Sequence, residues 1–380
     1  MIAEICGMSL WFVSAAVLPG MVADVPMAAA QQAALSSGVQ GGFVLGALAL
    51  AITGLPDRLD PRHVFAACAV LAGLANALLL VVPPDTLAAV LLRVSTGALL
   101  AGVYPIGMKI AVGWGAKDRG LLVGALVGAV ALGSALPHLL AFSGGADWRT
   151  TVVLASGLAV FGGVLALFSQ LGPHHVRASA FNPRAIATAW TNKGVRLAIL
   201  GYLAHMWELY AMWAWIGPIA AASFALAIPE SDPQRLATLT AFVVIATGAV
   251  MCVPAGWLAD RVGKAQVAAG AMVISGGAAV LAALTFGGPV WLVMLVLIIW
   301  GASVIPDSPQ LSALVADHAP ADQTGSLLTF QTALGFALTM VTVQATPVLA
   351  SLWGWQPVLL VMALGPVVGV WAMRALIRTR

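Results

Sequence analysis

From Val267 to Pro306 the chain runs for 40 residues without an Asp, Glu, Lys or Arg, and its strongest turn signal is the Gly287-Gly288-Pro289 triplet. The hydrocarbon core of a bilayer is about 30 Å thick and is crossed by roughly 20 apolar residues in a helix. The run is therefore two such lengths joined by a turn. Inside a bilayer no water satisfies the backbone, so a spanning segment must be a helix or part of a closed barrel. Continuous apolar character, without the two-residue alternation of barrel strands, selects the helix. Only 8% of the chain is charged, against roughly 25% in a soluble domain. An all-α integral membrane protein is the expected fold class.

Hydropathy and breakers give twelve spans. In the first half they are 2–22, 36–55, 64–83, 87–112, 120–142 and 150–171. A longer polar connection, 172–194, leads to 195–222, 237–258, 265–286, 289–314, 325–350 and 355–376. The chain thus divides into an N-terminal six-helix half (1–171), a connecting loop (172–194) and a C-terminal six-helix half (195–380). The first segment has no basic n-region and so does not read as a cleavable signal peptide.

The formal charge of +3 does not imply nucleic acid, because the basic residues sit in short loops. Arg58, Arg62, Lys117, Arg119, Arg177, Arg184, Lys193, Arg196, Arg261, Lys264, Arg374, Arg378 and Arg380 fall on one side, against Arg149 and Arg235 on the other. The positive-inside bias predicts that both termini and the 172–194 connection are cytoplasmic. Cys6, Cys68 and Cys252 lie in separate apolar segments, with neither disulfide nor zinc spacing. No metal site, cofactor motif or catalytic constellation is expected, so the chain does not read as an enzyme.

The two halves echo each other. "TGLPDRLDPRH" after the second span matches "GWLADRVGKAQ" after the eighth, which superposes Asp57-Arg58 on Asp260-Arg261. "KDRGLLVG" is echoed by "DQTGSLLT" and "DWRTTVVL" by "GWQPVLLV", at nearly one offset. Two repeats related by an axis along the membrane normal are the plan of a rocking transporter with its site at the midplane.

These motifs resemble the major facilitator superfamily over nearly the whole chain. Gly256, Asp260, Arg261, Gly263 and Lys264 match its loop signature, while the first-half copy keeps only Asp57, Arg58 and Arg62. Such a carboxylate and guanidinium on a tight turn can latch one arrangement of the halves. "LLRVSTGALLAGVYPIGMK" is similar to the fourth-helix signature, and "GSALPH" stands in span 5 where drug antiporters of the superfamily usually carry Gly-Pro. A bacterial carrier loosely similar to nitrate/nitrite and cyanate-type carriers is what the resemblance implies; an inner-membrane location and a monomeric state are further expectations.

Charges inside spans are rare and face a cavity or a partner. In span 4, Arg93 shares a face with Tyr104 at 100° per residue, whereas Lys109 points elsewhere. Substrate contact and a structural ion pair are both open for Arg93. In span 7, Tyr202, His205, Glu208, Met212 and Trp215 form one stripe, with Trp207 and Trp213 outside it. His205 and Glu208 are the expected proton-handling pair, and a buried pair that only fixes packing is the alternative. Span 10 adds Trp300, Ser303, Asp307 and Gln310, span 11 Gln331, span 1 Glu4 and Trp11, and span 2 Gln40. In the family resembled, the first, fourth, seventh and tenth helices line the central cavity. The functional expectation is proton-coupled alternating access for a small polar solute, an organic or inorganic anion, with Glu4, His205, Glu208 and Asp307 handling protons. An exporter of amphipathic drugs or metabolites is the alternative, and a sensor without turnover a third.

Overall fold

The computed structural model describes residues 1–115, 119–144, 147–173, 182–228 and 232–378, without the side chains at 56, 57, 119 and 120. Among the described residues, twelve helices are long and apolar enough to cross a membrane. They are span 1 (Ile2–Asp24), span 2 (Ala29–Thr53), span 3 (Pro61–Leu80), span 4 (Leu87–Val112), span 5 (Leu121–Gly144) and span 6 (Trp148–Leu167), then span 7 (Lys193–Ala227), span 8 (Pro233–Val262), span 9 (Lys264–Thr285), span 10 (Val290–His318), span 11 (Thr324–Trp353) and span 12 (Trp355–Ile377).

Several helices extend beyond their apolar runs. Span 2 starts at Ala29 rather than at 36, because its first polar turns find partners: Gln31 Nε2 donates to the carbonyls of Pro84 and Thr86, and Gln32 Nε2 to that of Met27. The 172–194 connection is likewise not all loop. Pro183–Ala185 and Ile186–Thr191 are helical turns, and Asn192 caps span 7 by accepting from the backbone N–H of Gly194 and Val195. The same Asn192 donates through Nδ2 to the His318 carbonyl at the end of span 10.

The pairings among the first six spans recur among the last six. Spans 1–5, 1–6, 2–4, 3–4 and 3–6 pack together, and so do 7–11, 7–12, 8–10, 9–10 and 9–12. Between the halves, span 2 packs on span 11 and span 5 on span 8. The second contact is a backbone approach: a Cβ on Gly128 would stand 2.6 Å from the Ala249 carbonyl oxygen, so small residues set the distance.

Three inner helices are broken near mid-membrane. Span 1 splits into Ile2–Met8 and Val13–Asp24, span 4 into Leu87–Leu100 and Tyr104–Val112, and span 10 into Val290–Val304 and Ser308–His318. For spans 4 and 10 the cause is local. Pro105 and Pro309 cannot bond to, and clash with, the carbonyls four residues back, Ala101 and Ile305, which is where each helix stops. Freed backbone groups at this depth must be satisfied by protein or by a water-filled cavity.

Candidate functional site

In the first half the break in span 1 and the arginine of span 4 explain each other. Arg93, fully buried, donates from Nη2 to the carbonyls of Leu10 (2.9 Å) and Trp11 (3.1 Å), the groups the break releases, and from Nη1 to Asn76 Oδ1 (2.7 Å). Asn76 in turn donates to Ser156 Oγ at 2.9 Å. One network thus ties spans 1, 3, 4 and 6. The ion pair open from sequence is not found: Arg93 meets no carboxylate among the described residues, and its terminal nitrogens are engaged by backbone and amide oxygens instead. Glu4 is also interior to this half. Both of its oxygens are buried without a hydrogen-bond partner, and the carboxylate packs against Gly107 of span 4.

In the second half the acids of spans 7 and 10 converge differently from the sequence expectation. His205 Nδ1 lies 2.8 Å from Asp307 Oδ1, both side chains almost wholly buried. The approach is off the hydrogen-bonding direction, and His205 Nε2 has no protein partner. Asp307 occupies the N-cap position of the second segment of span 10 without capping it, since its carboxylate is turned to the imidazole. Glu208 accepts from Trp300 Nε1 at 2.7 Å and from Ser275 Oγ of span 9 at 2.9 Å. His205 and Glu208 therefore do not pair with each other. Each faces a neighbouring helix of its own half, and Asp307 and Trp300 bring both partnerships onto span 10.

Between the halves lies an aromatic cluster. Trp11 and Phe12 of span 1 and Phe43 of span 2 meet Tyr210 and Trp213 of span 7 and Phe336 of span 11. Ring centroids are 4.4 Å apart for Phe43–Phe336, 5.4 Å for Trp11–Phe336, 5.8 Å for Trp11–Tyr210 and 5.8 Å for Phe12–Trp213. Beside it, Gln344 Nε2 of span 11 donates to Ser37 Oγ of span 2 at 2.8 Å. Tyr104 joins the edge of the cluster, 6.5 Å from Phe43.

The other residues proposed as lining are placed as follows. Trp215 donates its indole N–H to the Val343 carbonyl and Gln331 its Nε2 to Ser312 Oγ. Ser303 bonds to its own helix at Ile299 and Trp300. Gln40, with its NH₂ toward the chain, reaches the Ser36 and Ser37 carbonyls. Met212, Tyr202 and Gln310 are buried, and the Tyr202 ring lies over Gly335, where a Cβ would be 2.5 Å from Cε1. Tyr210, Phe12, Phe43 and Phe336 were missed by the sequence reading, as were Asn76 and Ser275, and Trp213 was set outside the span-7 stripe. Their only signal was an aromatic or small polar residue near the middle of a span.

At the loop signature, Lys264 Nζ lies 2.6 Å from Asp317 Oδ2, which joins the turn after span 8 to the end of span 10. Arg261 stacks on Trp257 at 3.3 Å, Asp260 is exposed, Gly256 is buried, and Gly263 has φ 103°, a region that favours glycine. In the first half the Asp57 side chain lies outside the described residues and Arg58 is exposed. The ion pair there is Asp60–Arg62 at 2.6 Å, with Arg62 also donating to the Ser169 carbonyl. Hydrogen bonds from Arg62 hold the Asp60 carboxyl down at about 2.

Twelve spans, a repeated pairing pattern and paired broken helices around a two-half interface are a transporter's architecture. The family model for the Major Facilitator Superfamily matches residues 1–341. The chain belongs to the major facilitator superfamily. Among solved structures, this superfamily member is similar to a point mutant of the nucleoside transporter NupG (TM-score 0.74, 15% identity, covering 99% of this chain and 98% of that one). It is similar to the human organic anion transporter MFSD10 (TETRAN) (TM-score 0.70, 16% identity, 98% of each chain). It is also similar to the superfamily transporter FucP in its outward conformation (TM-score 0.67, 13% identity, 99% and 98%). No curated protein matches in sequence. The superfamily member is a multi-pass membrane protein and a secondary transporter of small molecules by alternating access, not an enzyme.

Proposed function

We propose that this transporter moves a small polar solute, an organic or inorganic anion, together with protons. The observation that carries the reading is the buried His205–Asp307 contact with Glu208 beside it on span 7, three titratable groups at mid-membrane. Acids and histidines inside spans are rare and mark substrate or ion pathways and proton relays. Charge counting gives the coupling. Fully ionised, one imidazolium and two carboxylates leave the group with one net negative charge, which repels an anion. Protonation of both carboxylates leaves one net positive charge, which attracts it. Proton uptake and anion uptake then favour each other, and release of either promotes release of the other.

Polar lining for the solute comes from Gln40, Gln310, Gln331, Ser303 and Tyr104, once the halves part along the aromatic cluster. Trp300 acts by holding Glu208. The basic-loop bias supports cytoplasmic termini in a bacterial inner membrane, and two six-helix halves packed on each other within one chain support a working monomer. The test is anion uptake into proteoliposomes driven by an inward proton gradient. Asp307→Asn and Glu208→Gln are expected to abolish gradient-driven accumulation while retaining solute exchange, which needs no net proton movement. Gradient-independent uptake in the wild type, or unaltered accumulation in both variants, defeats the proposal. The alternative, export of amphipathic compounds, is favoured by the apolar face that the aromatic cluster would expose, and substrate release from loaded vesicles distinguishes it.

A further inference from the structure

On the outer face of the second half, the packed spans 9 and 12 leave a groove of about 650 Å³ between them. Val273, Gly277 and Val280 line one wall, and Val367, Val370 and Trp371 the other. Its long axis follows span 12 from Ala363 to Arg378, which at 1.5 Å per residue is about 22 Å. That length runs from the headgroup layer past the midplane of a ~30 Å core. The groove is apolar over this length and charged at one end only. Arg374 and Arg378 close it on the side where the basic loops lie, and among the described residues neither guanidinium has an ion-pair partner. Val273, Val367 and Trp371 are all exposed at bilayer depth.

From this geometry we infer that the groove between spans 9 and 12 is a binding site for one acyl chain of an anionic phospholipid, with its phosphate held by Arg374 and Arg378. A slot open to the bilayer, with two cations at the headgroup end that have no ion-pair partner among the described residues, matches that ligand in both shape and charge. A zwitterionic lipid would fit the slot but leave the two positive charges partly uncompensated. The site also touches the transport machinery. Met272, on the groove wall, is three residues from Ser275, whose hydroxyl holds Glu208. The Met272 sulfur packs against Gly369 of span 12, so what fills the groove bears on the spacing of spans 9 and 12 next to the buried acid.

The test uses the full chain in detergent micelles, titrated with phosphatidylglycerol or phosphatidylcholine of identical acyl chains. Binding is read by native mass spectrometry and by quenching of Trp371 with acyl-brominated lipid, taken as the difference between wild type and Trp371→Phe. Preferential retention of phosphatidylglycerol and quenching of the Trp371 component are expected. Arg374→Ala and Arg378→Ala should each weaken phosphatidylglycerol binding about fivefold, the equivalent of about 1 kcal/mol per basic residue at a membrane surface, with phosphatidylcholine binding unaltered. Gly277→Leu should reduce retention of both lipids. A side chain at Gly277 points into open space, with nothing within 4 Å of an added Cβ, so this variant fills the slot without straining the fold. Equal retention of the two lipids by the wild type, or unchanged preference in the double arginine variant, overturns the inference. So does a stable dimer in solution that Gly277→Leu dissolves, since a second copy would then be the occupant.

Discussion

Phe336 sits where the two halves meet, and its removal tests whether the aromatic cluster holds them together. Its ring contacts Trp11 at 5.4 Å and Phe43 at 4.4 Å across the interface, and Tyr210 at 5.0 Å within its own half. Only the first two are broken when the halves separate here. Each aromatic pair contributes about 0.5–1.5 kcal/mol beyond its burial, so Phe336→Ala removes about 1–3 kcal/mol from this arrangement relative to one in which spans 2 and 11 part. At 1.4 kcal/mol per factor of ten, that shifts the equilibrium roughly 5- to 150-fold toward the separated form. The assay is a spin-label distance measurement between Ala30 and Ser351, exposed positions at the ends of spans 2 and 11 that share one membrane face. Cys6, Cys68 and Cys252 are first replaced by Ala. A longer-distance population should grow in Phe336→Ala, less in Phe336→Leu, and not in Phe336→Tyr, which keeps the ring. An unchanged distance distribution in a folded Phe336→Ala protein would show that the cluster does not set the equilibrium between arrangements.

Arg93→Leu leaves Asn76 Oδ1 and the Leu10 and Trp11 carbonyls without their donor. At about 1–3 kcal/mol for each unsatisfied buried group, it should lower the melting temperature sharply, with partial recovery in Arg93→Lys. If instead thermal stability is retained and only the apparent solute KM rises, Arg93 binds solute and the structural role is refuted. Lys264→Ala removes a pair that is about a third exposed on both sides, so its cost should be at most about 1 kcal/mol and should vanish at high salt. The Asp60 carboxyl is held at about 2 by Arg62, below the unfolded value of about 3.9. A depressed carboxylate stabilises fully above the unfolded pKa and loses that contribution as pH falls toward the folded one. The stability difference between wild type and Arg62→Ala should therefore be flat from pH 5 to 8 and shrink below pH 4, and a difference that varied across the neutral range would contradict the assignment. Asp307→Asn combined with Phe336→Ala in a double-mutant cycle on the Ala30–Ser351 distance should depart from additivity by more than about 0.5 kcal/mol. Additive effects would mean that the His205–Asp307 contact and the aromatic cluster act independently.

Span number and loop signature were legible in sequence because each is a local property, a length of apolar chain or a turn motif, and the repeat because such local motifs recur at one offset. The site was legible only as an inventory. Glu4, Arg93, His205, Glu208 and Asp307 are all buried, as charges in spans must be, yet a helical wheel assumes one straight helix facing one cavity. Spans 1, 4 and 10 are not straight. The break at Ser9–Phe12 gives Arg93 two carbonyls to bind, and no wheel of span 4 contains that information. Partner choice was the second loss. His205 and Glu208, one turn apart, looked like a pair, but Asp307 and Trp300 on another helix each take one of them.

What the wheel of span 7 does show, once its neighbours are known, is how one helix can join the two sets of contacts. His205 and Glu208 point to spans 9 and 10, whereas Tyr210 and Trp213 point to span 1. At 100° per residue the two groups lie roughly 140° apart around the helix. The titratable face is therefore internal to the second half, and the aromatic face belongs to the interface. Packed helices behave as bistable bodies rather than deformable ones, so a change of charge that alters the fit of span 7 against span 10 must be taken up on its opposite side, at Trp11 and Phe12. Span 1 is itself broken beside those two residues, and Arg93 fastens that break to span 4. A rigid link thus runs from the acids of the second half through an aromatic contact to the polar network of the first. Under the proposed proton coupling, protonation in one half would bias the other through this link without any charged group crossing between them.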